Sequence, residues 1–206
     1  MTMDMVSVPV CTECSIRNSR FISELFPCQD QGAARRLLKA QKQKYADATH
    51  VVHAFIIGPS GEISGMSDAG EPPGTAGRPV LEVLRGRNCT NTLLTVTRYF
   101  GGILLGTGGL VKAYSGCARS VLVSADEKGA FEPVVMKTPF SFRLPYPLYD
   151  TVRRRIAVFH IYGLTEQFGA DVSLCGEIRS DELDRFAACI FDLSGGKTVV
   201  EPRKSL

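Results

Sequence analysis

The stretch Arg98–Leu110, RYFGGILLGTGGL, places five glycines in thirteen positions. It continues the most strand-like run in the chain, TLLTVTRYF (92–100), which is rich in β-branched and aromatic residues. It leads into a helix-like run, GLVKAYSGCARSVLVSA (109–125), whose small residues Ala113, Gly116 and Ala118 suit close packing on a sheet. Glycine loses more conformational freedom on folding than any other residue, so such a cluster needs a tight turn or the close approach of another group. Strand, glycine-rich connection and helix together read as α/β architecture. The same arrangement lets bare main-chain amides and a helix N-terminus receive an anion. The spacing matches neither familiar phosphate pattern. Thr107 and Gly108 stand where a P-loop needs Lys and Ser/Thr, and Val111 stands where the dinucleotide fingerprint needs its last glycine.

A second loop, SDAGEPPGTAGRP (67–79), gathers Asp68, Glu71, Thr75 and Arg78 among three glycines. Two carboxylates three residues apart suit an acid–base pair or a hard cation. The alternative is that Asp68 and Thr75 bond their own turn while Glu71 faces water. The histidines are few, and His50, at the start of the strand HVVHAFII (50–57), is the best acid–base candidate. Cys11-x-x-Cys14 with His50-x-x-His53 has the inventory of a zinc site. An odd offset on a strand sends the two histidines to opposite faces, so no metal site is expected.

The remaining pattern predicts a strand over 12–26, a helix over 30–46 capped by Asp30, and a helix through Val80–Leu84 with Pro79 in its first turn. These make a sheet of three or four strands with helices 30–46 and 109–125 on one face. After residues 127–138 a second pattern begins: strand 139–144, helix 146–160, strands 162–168 and 171–178, helix 181–193 and strand 197–201. That βαββαβ order is ferredoxin-like. The expected division is therefore one domain over 1–135 and a second over 136–206.

The net charge of +3, from 24 basic and 21 acidic residues, is too mild to indicate nucleic acid by itself. Locally, helix 30–46 and Arg153–Arg155 are basic, and Tyr99, Phe100 and Tyr114 lie near Arg98 and Lys112, a combination that suits single-stranded nucleic acid. No segment reaches the ~18–20 apolar residues of a membrane span, and the first residues lack the features of a secretory signal. The expected setting is the cytoplasm, with the seven cysteines as reduced thiols.

NSRFI (18–22), DATH (47–50), SDAGEPPGTAGRPVLEVL (67–84) and VTRYFGGILLGTGGLVKAYS (96–115) resemble the YigZ/IMPACT family across most of residues 15–125. The βαββαβ tail resembles the small C-terminal domain of the bacterial members, which is similar to a domain of translation elongation factor G. The resemblance implies a ribosomal-protein-S5 domain-2-like fold for the first domain. It also implies a non-catalytic regulator of translation that contacts RNA, the ribosome or a translation-associated protein. On that reading the loops 67–78 and 98–109 form the surface. Asp68, Glu71, Thr75, Arg98, Tyr99, Gly101, Gly102, Gly106, Thr107, Gly108 and Gly109 would bind, with Tyr99 stacking and the glycine amides holding a phosphate-type anion. The chain departs from the family at Ala69, where a second acidic residue is usual, and at Leu104, where a basic one is. The alternative is an enzyme on a phosphorylated small molecule or nucleotide, with His50, Asp68 and Glu71 as its acid, base or metal ligands. No cofactor, no metal and no membrane partner is expected.

Overall fold

The computed structural model describes residues 3–202. The chain divides into two compact units, Met1–Val134 and Val135–Leu206. In the first, β1 (Asp4–Val6) and β2 (Val10–Ile16) lead into β3 (Ser19–Pro27), α1 (Gln31–Lys44), β4 (His50–Ile57) and β5 (Ile63–Ser67). There follow α2 (Gly77–Gly86), β6 (Cys89–Thr90), β7 (Thr92–Tyr99), α3 (Gly106–Glu127) and β8 (Phe131–Pro133). The main sheet is antiparallel throughout, in the order β2-β3-β7-β4-β5, and β6-β1-β8 form a small separate sheet.

This sheet has five strands where three or four were expected. The run 12–26 is not one strand but the hairpin β2–β3, turned at Arg17 and Asn18 with φ of 46° and 66°. Two consecutive positive φ values match the twist of paired strands, but an Arg-Asn turn lacks the glycine that usually announces it. β7 is the central strand, and its alternation places Leu94 and Val96 on one face and Leu93 on the other. The first face packs against α2 and α3 through Val80, Leu84, Ala113, Tyr114 and Val121. The second face, with Ile57 and Cys28, is covered by Ala34 and Leu37 of α1. Helices α1 and α3 therefore lie on opposite faces, not on one. Asp30 caps α1 as expected, its carboxylate accepting from the Ala33 N–H at 2.7 Å.

The layer beneath α1 is unusually polar. Glu24, Thr95 and His53 lie side by side across β3, β7 and β4. Gln41 is buried on the helix above, and Lys44 reaches Glu24 at 2.7 Å. His53 Nδ1 has no partner, and burial pushes its imidazole down to about 4.

In the second unit β9 (Lys137–Leu144), α4 (Tyr146–Ile156), β10 (Ile161–Phe168), β11 (Val172–Arg179), a 3-10 turn at Ser180–Glu182, α5 (Leu183–Leu193) and β12 (Glu201–Pro202) follow in βαββαβ order. The sheet order β10-β11-β9-β12 is that of a ferredoxin-like domain, with Phe140, Phe142, Leu174 and Phe186 in its core. The last strand is shorter than the expected 197–201. Among the described residues Glu201 and Pro202 pair with β9, while Thr198 turns its hydroxyl to the Arg143 carbonyl at 3.1 Å.

The burial of His53 has a pH signature. Because its folded pKa lies below the unfolded value, the unfolded chain binds a proton first as the pH falls. Stability is therefore intact above pH 6.5 and declines from there towards about pH 4. Urea titrations across that window show the decline, and His53→Gln flattens it.

Candidate functional site

Arg98 is the penultimate residue of β7 and shares the face of Leu94 and Val96, so its guanidinium enters the layer beside α3. Its strand partner is His50, the first residue of β4. The loop after β5 closes over both. Ala69 and Gly70 take positive φ of 50° and 89°, which turns the chain so that Glu71 dips inward. Glu71 is 7% exposed and Arg98 is 5% exposed. Arg98 Nη1 donates to Glu71 Oε1 at 2.7 Å, and the Tyr114 hydroxyl from α3 donates to the same oxygen at 2.7 Å. Burial and this carboxylate both push the Tyr114 phenol far above its ordinary range. Arg98 Nη2 reaches Ser19 Oγ at 3.3 Å, while Arg98 Nε has no partner among the described residues.

His50 completes the group. Its Nδ1 lies 2.9 Å from the Ala69 carbonyl, which can only accept, so Nδ1 carries the proton. Nε2 then faces Glu71 Oε2 at 3.9 Å, too long for a hydrogen bond. His50, Glu71 and Arg98 line a cleft of about 420 Å³ together with Phe100, Leu104, Gly106 and Thr107. Helix α3 starts at Gly106, three residues earlier than expected, so Gly106, Thr107 and Gly108 form its first turn. Among the described residues no side chain caps that turn, and no backbone hydrogen bond outside the regular elements uses their N–H groups. These amides are the orphan donors of a helix start. On the other flank, Gly108 and Gly109 border a second cleft of about 530 Å³ with Arg17 and Lys112.

Several expected site residues take other tasks. Asp68 turns away from the cleft and accepts from the N–H groups of Gly74, Ala76 and Gly77 at 2.9, 3.0 and 2.8 Å. It caps α2 from a distance, with both oxygens committed to those amides. Burial pushes its carboxyl up, but the amides of Gly74, Gly77 and Ala76 together prevail and hold it below the usual range. Thr75 is buried and donates to the Pro72 carbonyl at 2.7 Å. Tyr99 falls on the α1 side of the sheet, where its hydroxyl donates to Asp47 at 3.0 Å. The exposed aromatic in the cleft is Phe100. Gly101 supplies no free amide, since its N–H meets Ser19 Oγ at 3.3 Å, and a side chain there would strike the Asn18 backbone. Gly102 takes a positive φ of 81° with open space around it. Arg17 escaped sequence reasoning because the turn that presents it carried no glycine signal. Among the described residues no cluster of three His, Cys, Asp or Glu is placed to hold a metal ion, and no helix is long and apolar enough to cross a membrane.

The Impact N-terminal domain model matches residues 17–122, and a domain of unknown function, DUF1949, matches residues 142–197. The chain is 41% identical over 189 residues to IMPACT family member YvyE of Bacillus subtilis, spanning 92% of this chain and 85% of that protein. The chain belongs to the IMPACT family. It is also 41% identical over 118 residues to IMPACT family member YigZ of Escherichia coli, covering 56% of this chain and 58% of that one. A solved structure described as a hypothetical protein is similar over the full length of both chains, with a TM-score of 0.76 at 28% identity. This IMPACT-family chain thus has the two-domain mixed α/β architecture that the sequence implied, with a ferredoxin-like second unit.

Two outcomes test the geometry. Arg98→Met leaves the Glu71 carboxylate buried without its cation and costs about 3–5 kcal/mol of stability in urea unfolding. Asp68→Ala costs about 0.5–2 kcal/mol, the usual range for a lost helix cap. Since the Asp68 carboxyl titrates below its unfolded value, its contribution is complete above the ordinary carboxylate pKa. The gap between wild type and Asp68→Ala closes as the pH falls through the lowered value.

Proposed function

We propose that this protein is a non-catalytic regulator of translation in the cytoplasm that binds single-stranded RNA at the start of α3. The family supports the translation setting, and the site supports the ligand. The observation that carries the reading is the uncapped first turn of α3, with Gly106 and Thr107 opening onto the cleft that the buried, partly unpartnered Arg98 lines. A phosphate there meets free amides and a guanidinium that is already desolvated. Arg17 and Lys112 extend positive charge past the opposite side of the same turn. Phe100, 45% exposed, offers a ring face for a base.

The carboxylates favour binding over catalysis. Asp68 is held by three amides, and Glu71 is paired with Arg98 and bonded to Tyr114, so both carboxylates are already engaged within the fold. One observation favours the enzyme reading: His50 Nε2 and Glu71 Oε2 converge to 3.9 Å beside the open amides. A phosphorylated small molecule would use the same anion site, with the imidazolium form of His50 as the acid.

Filter binding of a homopolymeric single-stranded RNA across a salt series tests the proposal. Affinity falls as salt rises, with a slope of about −0.7 per phosphate contacted. Phe100→Ala weakens binding by about 1–3 kcal/mol, the scale of one lost stacking contact. RNA binding that is absent or indifferent to salt would sink this reading and leave the phosphorylated small molecule or a protein partner at the cleft.

A further inference from the structure

In the first unit α2 and α3 leave a groove of about 860 Å³ between them, lined by none of the residues that line the cleft of Arg98. We infer that this groove docks an amphipathic helix of another protein, apolar along one stripe and acidic on its flanks. The floor is aliphatic: Pro79 and Val83 from α2, and Val111, Leu122 and Val123 from α3. Val111 and Val123 are 39% and 55% exposed although each belongs to a helix with a well-buried opposite face. Gly86, at the end of α2, widens the groove. It has no positive φ to demand glycine, and a Cβ there would meet nothing within 4 Å.

The rim identifies the occupant. Both acidic residues of the groove are already answered, Glu82 by Arg85 at 3.2 Å and Asp126 by Arg87 at 2.7 Å. Arg87 also holds Asp4 at 3.0 Å, so its charge is committed. Among the described residues Arg78 has no hydrogen bond or ion pair, and Arg119 meets only the neutral Ser115 hydroxyl at 3.2 Å. An apolar floor between two uncompensated guanidinium groups complements leucine-like anchors flanked by carboxylates. The floor carries no aromatic ring on which a base would stack, which disfavours RNA here.

The test uses the full chain and a designed amphipathic peptide with leucines along one helical stripe and glutamates on both flanks. A counterpart carries lysines in place of the glutamates. Fluorescence anisotropy is expected to show the glutamate peptide binding at least about tenfold more tightly than the lysine peptide. The double variant Arg78→Glu/Arg119→Glu reverses that order, and Val123→Asp weakens both peptides. All three residues are surface groups, and thermal melts confirm that the variants stay folded. Equal binding of the two peptides, binding of neither, or an unchanged order in the double variant overturns the inference. A concentration-dependent dimer in sedimentation that Val123→Asp abolishes also overturns it, by assigning the groove to a second copy of the chain. None of these outcomes depends on RNA binding at the start of α3, so the two proposals stand or fall separately.

Discussion

The interaction on which the first unit turns is the buried triangle of Arg98, Glu71 and Tyr114. It joins the central strand, the loop after β5 and helix α3, three segments far apart in sequence. A carboxylate at this depth is tolerated only because a guanidinium and a hydroxyl meet it in good geometry. A buried ion pair of this kind is weak as a source of net stability and strong as a constraint on alternatives. A loop placed differently would leave either Glu71 or Arg98 charged and alone. The edge-to-face contact of Phe21 with Tyr114, centroids 5.5 Å apart, and the place of Arg98 over the Phe21 and Phe100 rings hold the triangle from the apolar side.

From that constraint the cleft follows. Arg98 is fixed by Glu71, so its unpartnered Nε is held still and not left to find solvent. His50 is oriented by the Ala69 carbonyl of the same loop. Asp68, three residues before Glu71, pins the loop from its other end by capping α2. Loop and helix are thus one device: Asp68 sets α2, α2 packs beside α3, and α3 presents its first turn to the cleft. The two carboxylates in this loop are structural in different ways, one for the backbone and one for a buried cation.

The groove between the same two helices has a different character. There the charges that belong to the fold are paired with each other, and those left over, Arg78 and Arg119, border aliphatic surface. One helix pair thus carries a polar, backbone-rich end and an apolar flank, which keeps the two proposed binding surfaces apart on one small domain.

Local patterns made much of this legible. The β-branched run 92–99, the strand run 50–57, the Asp30 cap and the βαββαβ order all report near-neighbour preferences, which a sequence displays directly. The glycine run marked the connection into α3. Its glycines serve different ends, however, and nothing in the run says which: Gly101 allows the hairpin to approach, while Gly106 opens the helix start. The Arg17–Asn18 turn was hidden because its residues tolerate positive φ without requiring it. The face to which Tyr99, Phe100 and α1 belong, and the partners of Asp68 and Glu71, were settled only in three dimensions. Side-chain direction along a strand is a matter of period, readable by itself. Which face receives which helix, and whether a carboxylate meets amides or a guanidinium, depends on contacts between segments dozens of residues apart, and those exist only once the chain has closed.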